Sequence, residues 1–337
     1  MIQEITDRNQ WTSFLLTLSP NTFLQTWQWG EVQNKSGENI IRLGIFNDNQ
    51  LIGLAQIIIV NARRGRHYLI PHGPAFLSEE QTLKYLPAII SYLKSRARQD
   101  RVLALRLAPL LINSQTNRDT LKQLGFKPAP LHIHSELTWI LDINLPAETL
   151  LANMRKTSRQ AINKAEKMGV TCFVITDQSA IDHFAPLYQV TTVRHGFVPF
   201  SIDSIREEFQ QFSGTKSAYA VIASYQGKDI AAGIFIQCGN KVFYHHGASI
   251  KVSKIPGAQL LQWHSILEAQ KRGAELYNFW GIAPDDKPHH PFAGITVFKK
   301  GFGGRAIDYL HAHDLPLSWR YRQLWAIDYW RKIRRGF

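Results

Sequence analysis

The same succession of hydrophobic and polar positions occurs twice along the chain. In each half, two apolar runs typical of β-strands are joined by four polar turn residues, which predicts a hairpin. The predicted strands are residues 42–46 and 51–60 in the first half and residues 218–224 and 229–237 in the second. Each second strand contains a glycine, Gly53 or Gly233, which predicts a bulge or a close approach to the backbone.

Each hairpin leads into a long helix, a strand and a short helix. The long helices are predicted over residues 79–99 and 257–272, and the strands after them over residues 102–107 and 275–279. The second half has an additional strand, predicted over residues 241–247, before its long helix. Both short helices end in a Gly-Phe pair, and we expect Gly125 and Gly301 to cap them in the left-handed conformation.

This repeated order of hairpin, helix, strand, helix and closing strand resembles the acetyltransferase-like (GNAT) fold. We therefore expect an α/β protein with two tandem GNAT-like domains, in which helices flank mixed sheets. The closing strand of the first domain is predicted over residues 136–143, and Leu145-Pro146 mark the hinge. Domain 1 would cover residues 1–144 and domain 2 residues 145–315. The last segment, residues 316–337, carries a helix outside the repeat and is assigned to domain 1.

The composition is that of a globular protein with a large positive charge. No apolar stretch reaches the roughly 18 residues of a membrane span, and the N-terminus has no secretory signal, so we expect a cytoplasmic location. The 39 Lys and Arg residues exceed the 26 Asp and Glu residues and give a net charge of +13. Such an excess favours a polyanionic partner, such as RNA, an anionic membrane or a phosphorylated substrate, although it also serves solubility.

The chain lacks the turn with which a GNAT fold binds acetyl-CoA. That turn offers backbone N–H groups to the pyrophosphate at a helix N-terminus. In the second half its place contains Pro256, which has no N–H, and in the first half residues 76–80 contain two carboxylates and no glycine. We therefore expect a donor other than acetyl-CoA and no cofactor. No metal-binding motif is found, and the His132/His134 and His311/His313 pairs are interpreted as ordinary strand histidines, so no metal is predicted.

A helix predicted over residues 146–168 is strongly basic. Its apolar residues keep helical spacing, and Arg155, Lys156 and Arg159 fall on the remaining surface. Charged helix faces are commonly only solvated. The alternative is contact with the phosphate backbone of an RNA, which requires clustered cations and little base specificity.

Five motifs occur along the chain in the order in which one known family has them. They are residues 23–30 (FLQTWQWG) followed by Lys35, residues 154–159 (MRKTSR) with 165–167 (AEK), residues 191–197 (TTVRHGF), residues 277–281 (YNFWG) and residues 294–304 (GITVFKKGFGG). Together they resemble the FemABX aminoacyltransferases of peptidoglycan bridges. The resemblance implies a duplicated GNAT-like enzyme that moves an amino acid from aminoacyl-tRNA to an amine on the stem peptide of lipid II or UDP-MurNAc-pentapeptide. It also implies a short form, since no coiled-coil insertion is present.

The resemblance further implies which residues bind the precursor. Lys35 and Arg194 correspond to the pair that grips its pyrophosphate, one through a compact ammonium and the other through a forked guanidinium. Thr192 and Tyr244 correspond to neighbouring precursor contacts. Without the resemblance, Lys35 would be interpreted as an ordinary surface lysine.

For the chemical step, the resemblance points to Lys299. This residue corresponds to the cation that stabilises the negative oxygen formed when an amine attacks an aminoacyl ester, with the Phe298 backbone beside it. One well-aimed donor typically lowers such a barrier by ~3–4 kcal/mol. The first half carries Gln123 at the repeated position, so only the second half is predicted to be catalytic. Ala108 stands where the family often has an acidic residue, which puts a protein general base in doubt.

Two other functions stay open at the level of sequence. An aminoacyl-tRNA-protein transferase that acts on protein N-termini would not need the phosphate clamp of Lys35 and Arg194. A non-catalytic RNA-binding double-GNAT protein would not need Lys299. The last helix also has two interpretations, because its mixed apolar and basic residues suit either docking on domain 1 or peripheral contact with the inner face of the plasma membrane.

Overall fold

Two compact units make up the structure, a computed structural model that describes residues 1–195, 198–252 and 254–335. Unit 1 comprises Met1–Leu137, Ala283–Pro291 and Ile307–Phe337, and unit 2 comprises Thr138–Ile282 and Phe292–Ala306. Gly196 and Phe197, the last two residues of the motif at 191–197, lie outside the described residues.

The elements follow the chain in three stretches. The first stretch contains β1 (Ile2–Glu4), α1 (Arg8–Thr17), α2 (Trp27–Lys35), β2 (Asn39–Asn47), β3 (Gln50–Ala62), β4 (Gly65–Pro71), β5 (Ala75–Phe76), α3 (Glu79–Arg96), β6 (Ala104–Ala108), α4 (Gln115–Gln123) and β7 (Lys127–Pro128). The second contains β8 (Leu137–Asp142), α5 (Ala147–Asn153), α6 (Lys156–Lys167), β9 (Thr171–Ile175), α7 (Ser179–His195), α8 (Ile202–Ser213), β10 (Ala218–Tyr225), β11 (Lys228–Cys238), β12 (Lys241–Ser249), α9 (Gly257–Lys271), β13 (Leu276–Gly281), α10 (Ala293–Lys300) and β14 (Arg305–Asp308). The third contains β15 (His313–Pro316) and α11 (Tyr321–Arg335).

The two sheets repeat one topology. Sheet 1 has the order β1-β2-β3-β4-β6-β15-β7, with β5 paired to β3, and sheet 2 has the order β9-β10-β11-β12-β13-β8-β14. Both contain the predicted antiparallel hairpin, β2 with β3 and β10 with β11. Both also contain a parallel pair, β4 with β6 and β12 with β13. The predicted tandem GNAT-like α/β fold with mixed sheets is therefore confirmed.

The closing strand of each sheet comes from a distant part of the sequence. Residues 136–143, which were expected to close domain 1, contain β8, and β8 pairs with β13 in sheet 2, whereas β15 pairs with β6 in sheet 1. This corrects the sequence assignment of the strand. The apolar pattern of β8 predicts a strand but does not determine which strand it pairs with. Specific contacts do so: Thr138 Oγ1 donates to the buried Asn278 Oδ1, and Trp139 Nε1 donates to the carbonyl of Gly303, each at 2.6 Å.

The basic segment of residues 146–168 forms two helices and not the single helix that was predicted. Met154, after α5, is extended, with a ψ of 156°. The N–H of Arg155 then donates to the carbonyl of Gly301 at 3.0 Å, which no continuous helix would permit. The break keeps Met154 buried in the core of unit 2.

Only one of the two predicted glycine caps has the expected conformation. Gly125 has a φ of +88°, but Gly301 is right-handed and continues the last turn of α10. The chain reverses instead at Gly303 and Gly304, with φ values of +86° and +96°. A Cβ on Gly304 would lie 2.1 Å from the carbonyl oxygen of Ile140 in β8, so the close approach of β14 to β8 requires a glycine there.

The last helix, α11, packs on unit 1, as one interpretation of its sequence expected. Tyr321 and Leu324 are buried with Ala104 of β6. Asp328, also fully buried, accepts a hydrogen bond from Arg106 Nη1 at 2.9 Å. In the part of the chain that the structure describes, no helix has both the length and the apolar character that crossing a bilayer requires.

Candidate active site

Two parallel strands of unit 2 separate at their C-terminal ends. β12 and β13 are paired only from Lys241 with Leu276 to Phe243 with Asn278, although both strands continue further. A bulge in β12 falls just beyond these pairs, because His245 has no partner residue in β11. Diverging strand ends of this kind are where open α/β sheets commonly bind ligands.

The ammonium of Lys299 lies at the end of β13. Its Nζ donates to the carbonyl oxygen of Gly281 at 2.6 Å, and the residue is only 5% exposed. Burial lowers the pKa of Lys299 to about 7. The side chain therefore exchanges between ammonium and amine near neutral pH, and as an ammonium it can donate to an oxygen that becomes negative.

The backbone next to this lysine is strained. Trp280, directly before Gly281, has a φ of +66°. Its N–H donates to Asn278 Oδ1 at 2.7 Å, which also accepts the hydrogen bond from Thr138 described above. A non-glycine residue at positive φ costs ~1–3 kcal/mol and is found disproportionately at functional sites. The end of β13 is thus held in the conformation that presents its carbonyl to Lys299.

The repeat provides an internal comparison for this lysine. Gln123, its counterpart at the end of α4, is exposed, whereas Lys299 is buried. Of these two residues, only Lys299 is a cation, and only Lys299 is buried. Phe298 lies inside α10, where backbone N–H groups run along the helix axis, and its ring packs edge-on against Phe302. Its backbone role in catalysis stays a prediction.

Hydrogen bonds join the C-terminal end of α7 to the C-terminal end of β12. Arg194 Nη2 donates to Ser249 Oγ at 3.2 Å. Thr191 Oγ1 donates to the Ser249 carbonyl at 3.0 Å and accepts from the Ser249 N–H at 2.9 Å. Thr192, next in sequence, is half-buried. The structure thus places Arg194 beside β12, whereas Thr192 Oγ1 donates within α7, to the Gln189 carbonyl at 2.8 Å. Thr191, which joins the helix to the strand, was not singled out from the sequence.

Tyr244 is packed between elements of unit 2. Its ring stacks on Phe235 with 5.4 Å between centroids, and a Cβ on Gly247 would lie 1.8 Å from its hydroxyl. Burial raises the pKa of Tyr244 to about 12, against the opposing effect of a hydrogen bond with Gln262. These contacts give the ring a structural role, and a contact with the precursor stays a prediction.

Lys35 belongs to unit 1, where it is the exposed last residue of α2. The helix is held by Arg42, whose guanidinium lies 3.6 Å above the Trp27 ring and whose Nη2 contacts Glu31 at 2.7 Å. A cation is favoured at a helix C-terminus whether or not it binds a ligand. Both interpretations of Lys35, surface lysine and phosphate ligand, therefore fit its position.

One of the three cations predicted to face RNA is used inside the protein. Arg159 Nη1 donates to the carbonyls of Ala152 (3.0 Å) and Met154, and it thereby satisfies groups that the end of α5 leaves unpaired. Arg155 and Lys156 are exposed. The helix break described above gives Arg159 carbonyls to cap, and a contact of the three cations with RNA stays a prediction.

A second group of ionisable side chains in unit 2 was missed by the sequence analysis. Glu208 of α8 faces both His245 and His246 of β12. The two histidines are consecutive in a strand, which ordinarily places their side chains on opposite faces. The bulge that brings them together leaves no readable signal in a single sequence.

Comparison with known proteins places this geometry in a family. The sequence profile of the FemAB family matches residues 6–226 and 201–324. The lipid II:glycine glycyltransferase of Staphylococcus aureus strain MRSA252 is 22% identical, with 92% of each chain covered. The enzyme of the same name from strain USA300 is also 22% identical, with 88% of each chain covered.

Solved structures agree on the fold. The crystal structure of FemX has a TM-score of 0.85 at 18% identity and covers 96% of this chain and 99% of its own. A tandem GNAT protein from the clavulanic acid biosynthesis pathway has a TM-score of 0.54 at 9% identity, with 94% and 99% covered. The FemAB profile spans the segments that contain Lys35, Arg194 and Lys299, and the chain belongs to the FemAB family.

Proposed function

We propose that this protein is an aminoacyltransferase that moves an amino acid from aminoacyl-tRNA to an amine on the stem peptide of a peptidoglycan precursor. The observation that carries the proposal is the buried Lys299, whose Nζ is held at the end of β13 and whose pKa is lowered to about 7 by burial. The relatives named lipid II:glycine glycyltransferase support transfer to a muropeptide acceptor.

The proposed step is aminolysis of an ester. The acceptor nitrogen attacks the aminoacyl carbonyl carbon, and the carbonyl oxygen becomes negative in the tetrahedral intermediate. The Lys299 ammonium donates a hydrogen bond to that oxygen. The C–O bond to the tRNA ribose then breaks, the amide C–N bond remains, and the proton lost by the nitrogen ends on the ribose oxygen. A single preorganised donor of this kind contributes ~3–4 kcal/mol.

Two helix N-termini support a donor other than acetyl-CoA. In unit 1, Ser78 Oγ accepts a hydrogen bond from the N–H of Gln81, and Glu79 follows Ser78 directly. The first turn of α3 is therefore negatively charged and would repel an anion. In unit 2, a Cβ on Gly257 would lie 2.4 Å from Ile230 Cδ1, so this glycine serves the packing of α9 against β11. Neither helix start is arranged to hold a pyrophosphate.

The acceptor would be held by Lys35 and Arg194 through its pyrophosphate, with Thr192 and Tyr244 as further contacts. Unit 1 would bind the precursor, and unit 2, which contains Lys299, would carry out transfer. Arg155, Lys156 and Arg159 would face the tRNA, and the first two of them are exposed. No cofactor is required by this scheme.

We also infer peripheral contact with the inner face of the plasma membrane, which suits a lipid-linked acceptor. The side of α11 opposite its buried residues carries Trp330 and Ile333, whose side chains are 58% and 64% exposed. Arg322 and Arg334 are also exposed on this helix. Exposed aromatic and aliphatic groups beside cations are typical of interfacial helices.

A transfer assay distinguishes the candidate functions. Purified protein is given tRNA charged with a radiolabelled amino acid and one of three acceptors: lipid II, UDP-MurNAc-pentapeptide, or a protein with a free N-terminus. We expect label on a muropeptide, and none when acetyl-CoA replaces the charged tRNA. Label on the protein N-terminus would favour the aminoacyl-tRNA-protein transferase. RNA binding without transfer to any acceptor would favour a non-catalytic RNA-binding protein.

A further inference from the structure

The bulge in β12 turns two consecutive histidines toward one point. Ile234 pairs with His246 and Phe235 with Tyr244, so His245 is the extra residue. A bulge changes the direction of side chains that would otherwise alternate across the sheet. The two imidazole rings consequently lie beside each other, with 4.1 Å between their centroids.

Helix α8 supplies a carboxylate at the same point. The apolar residues Ile205, Phe209 and Phe212 bury one side of this helix, and Glu208 lies on that side at 8% exposure. Glu208 Oε1 is 2.8 Å from His245 Nε2 and 3.5 Å from His246 Nε2. One ligand atom from each of these three residues lies within 4.8 Å of the other two.

These spacings are close to those of a metal site. Ligands bound tetrahedrally to Zn²⁺ at about 2.0–2.1 Å are roughly 3.3 Å from one another. The two measured Oε1–Nε2 distances lie on either side of that value. Small rotations of the side chains would therefore bring the two nitrogens and the oxygen to one ion.

We propose that Glu208, His245 and His246 form a binding site for a divalent transition-metal ion, with Zn²⁺ as the representative. Imidazole and carboxylate ligands suit Zn²⁺ and its first-row neighbours, and two His with one Glu are a donor set of known zinc enzymes. The site adjoins the candidate active site: the His245 ring lies 6.2 Å, centroid to centroid, from Trp280, which precedes the Gly281 that binds Lys299. A bound ion would fix the β12 bulge against α8. The inference does not depend on the proposed aminoacyl transfer.

The test is direct metal binding by the full-length protein without a histidine tag. Protein stripped with a chelator is titrated with Zn²⁺ by calorimetry, and Co²⁺ is used as a second probe because its absorption spectrum reports the ligand set. We expect one tight site per chain. Glu208→Gln keeps the side-chain shape, and both Glu208→Gln and His245→Gln keep the capacity to hydrogen-bond. Each should weaken Zn²⁺ binding roughly hundredfold or more, since even supporting residues cost 10–100-fold.

A matched variant controls for adventitious binding. His289 is an exposed histidine remote in sequence from the cluster, and His289→Gln should leave the affinity unchanged. Far-ultraviolet circular dichroism establishes that each variant is folded. Absence of a tight site in the wild-type protein would overturn the proposal without reference to any variant. It would equally be overturned by folded Glu208→Gln and His245→Gln proteins that bind Zn²⁺ as tightly as wild type.

Discussion

Lys299 is a cation enclosed by the interior of unit 2, with a backbone carbonyl as its hydrogen-bond partner. Such a position stabilises the neutral amine relative to the ammonium, which is why its pKa is lowered to about 7. The unfolded chain would keep the ordinary lysine pKa of ~10.4. Between these two values the unfolded state binds one more proton than the folded state, so the contribution of Lys299 to stability increases with pH.

This linkage predicts how Lys299→Met changes stability. Relative to the variant, the wild-type protein should gain about 1.4 kcal/mol per pH unit as the pH rises from 7 toward 10. Below pH 7, Lys299 is an ammonium in both the folded and the unfolded wild-type protein. The free energy of unfolding of the wild type is then lowered by the full cost of burying that charge. Urea unfolding at pH 7 and pH 9 measures the change. An equal difference between wild type and Lys299→Met at both pH values would contradict the lowered pKa.

At the scale of single residues, the sequence predicted Lys299 but not the groups around it. The family motif pointed to Lys299, and the repeat set it against Gln123. The carbonyl of Gly281 and the positive φ of Trp280 depend on the local path of β13, which no periodicity encodes. The Glu208 cluster was missed for the same reason, because it depends on a bulge.

At the scale of elements, a buried ionic network joins β6, β15 and α11. Arg106 Nε contacts Asp314 Oδ1 at 2.7 Å, and Arg106 Nη1 contacts Asp328 Oδ2 at 2.9 Å. All three side chains are 0–1% exposed. Burial alone would lower the pKa of Arg106, but the two carboxylates raise it well above its ordinary value. The arginine thus stays charged, and it holds the closing strand and the last helix to sheet 1.

Arg106→Met should destabilise unit 1 by ~3–5 kcal/mol, because it leaves buried carboxylates without their central cation. Chemical denaturation measures the loss. The control is Arg305→Met, which removes an exposed ion pair with Asp142 and should cost ~0–1 kcal/mol. Similar effects of the two substitutions would contradict a structural role for the buried network.

The elements themselves were largely readable from the sequence. Both hairpins, both long helices and the strands after them lie within a few residues of their predicted positions. Apolar runs bounded by turn residues marked the hairpin strands, and an apolar stripe marked α3. The strands that pair with β8 could not be predicted from the sequence, because the pairing depends on contacts between residues far apart in the chain, such as Trp139 and Gly303. The break between α5 and α6 rests likewise on the long-range bond from Arg155 to Gly301.

At the scale of the whole molecule, a net charge of +13 coincides with an apolar surface on α11. Trp330 and Ile333 point away from the core that buries Leu324 and Asp328. Attraction to anionic lipid would bring this surface to a bilayer, and burial of the two side chains would hold it there.

Membrane contact predicts binding to anionic vesicles. The protein should co-sediment with vesicles that contain phosphatidylglycerol, less with phosphatidylcholine vesicles, and less again at high salt. The double variant Trp330→Ser and Ile333→Ser should lower binding at least about tenfold, since each buried side chain contributes ~1.5–3 kcal/mol. Leu16→Ser, which alters an exposed apolar residue of α1, should bind like wild type. Undiminished binding of the double variant would contradict a role for α11.

The proposed transfer depends most on the ammonium of Lys299, which would stabilise the transition state. The most direct test is single-turnover transfer from charged tRNA to a muropeptide, together with precursor affinity, for wild type, Lys299→Met and the control Lys300→Met. We predict that Lys299→Met lowers the transfer rate ~10²–10³-fold, with precursor affinity within about twofold of wild type, and that Lys300→Met changes neither. An unchanged transfer rate for Lys299→Met, or a loss of affinity as large as the loss of rate, would contradict the account.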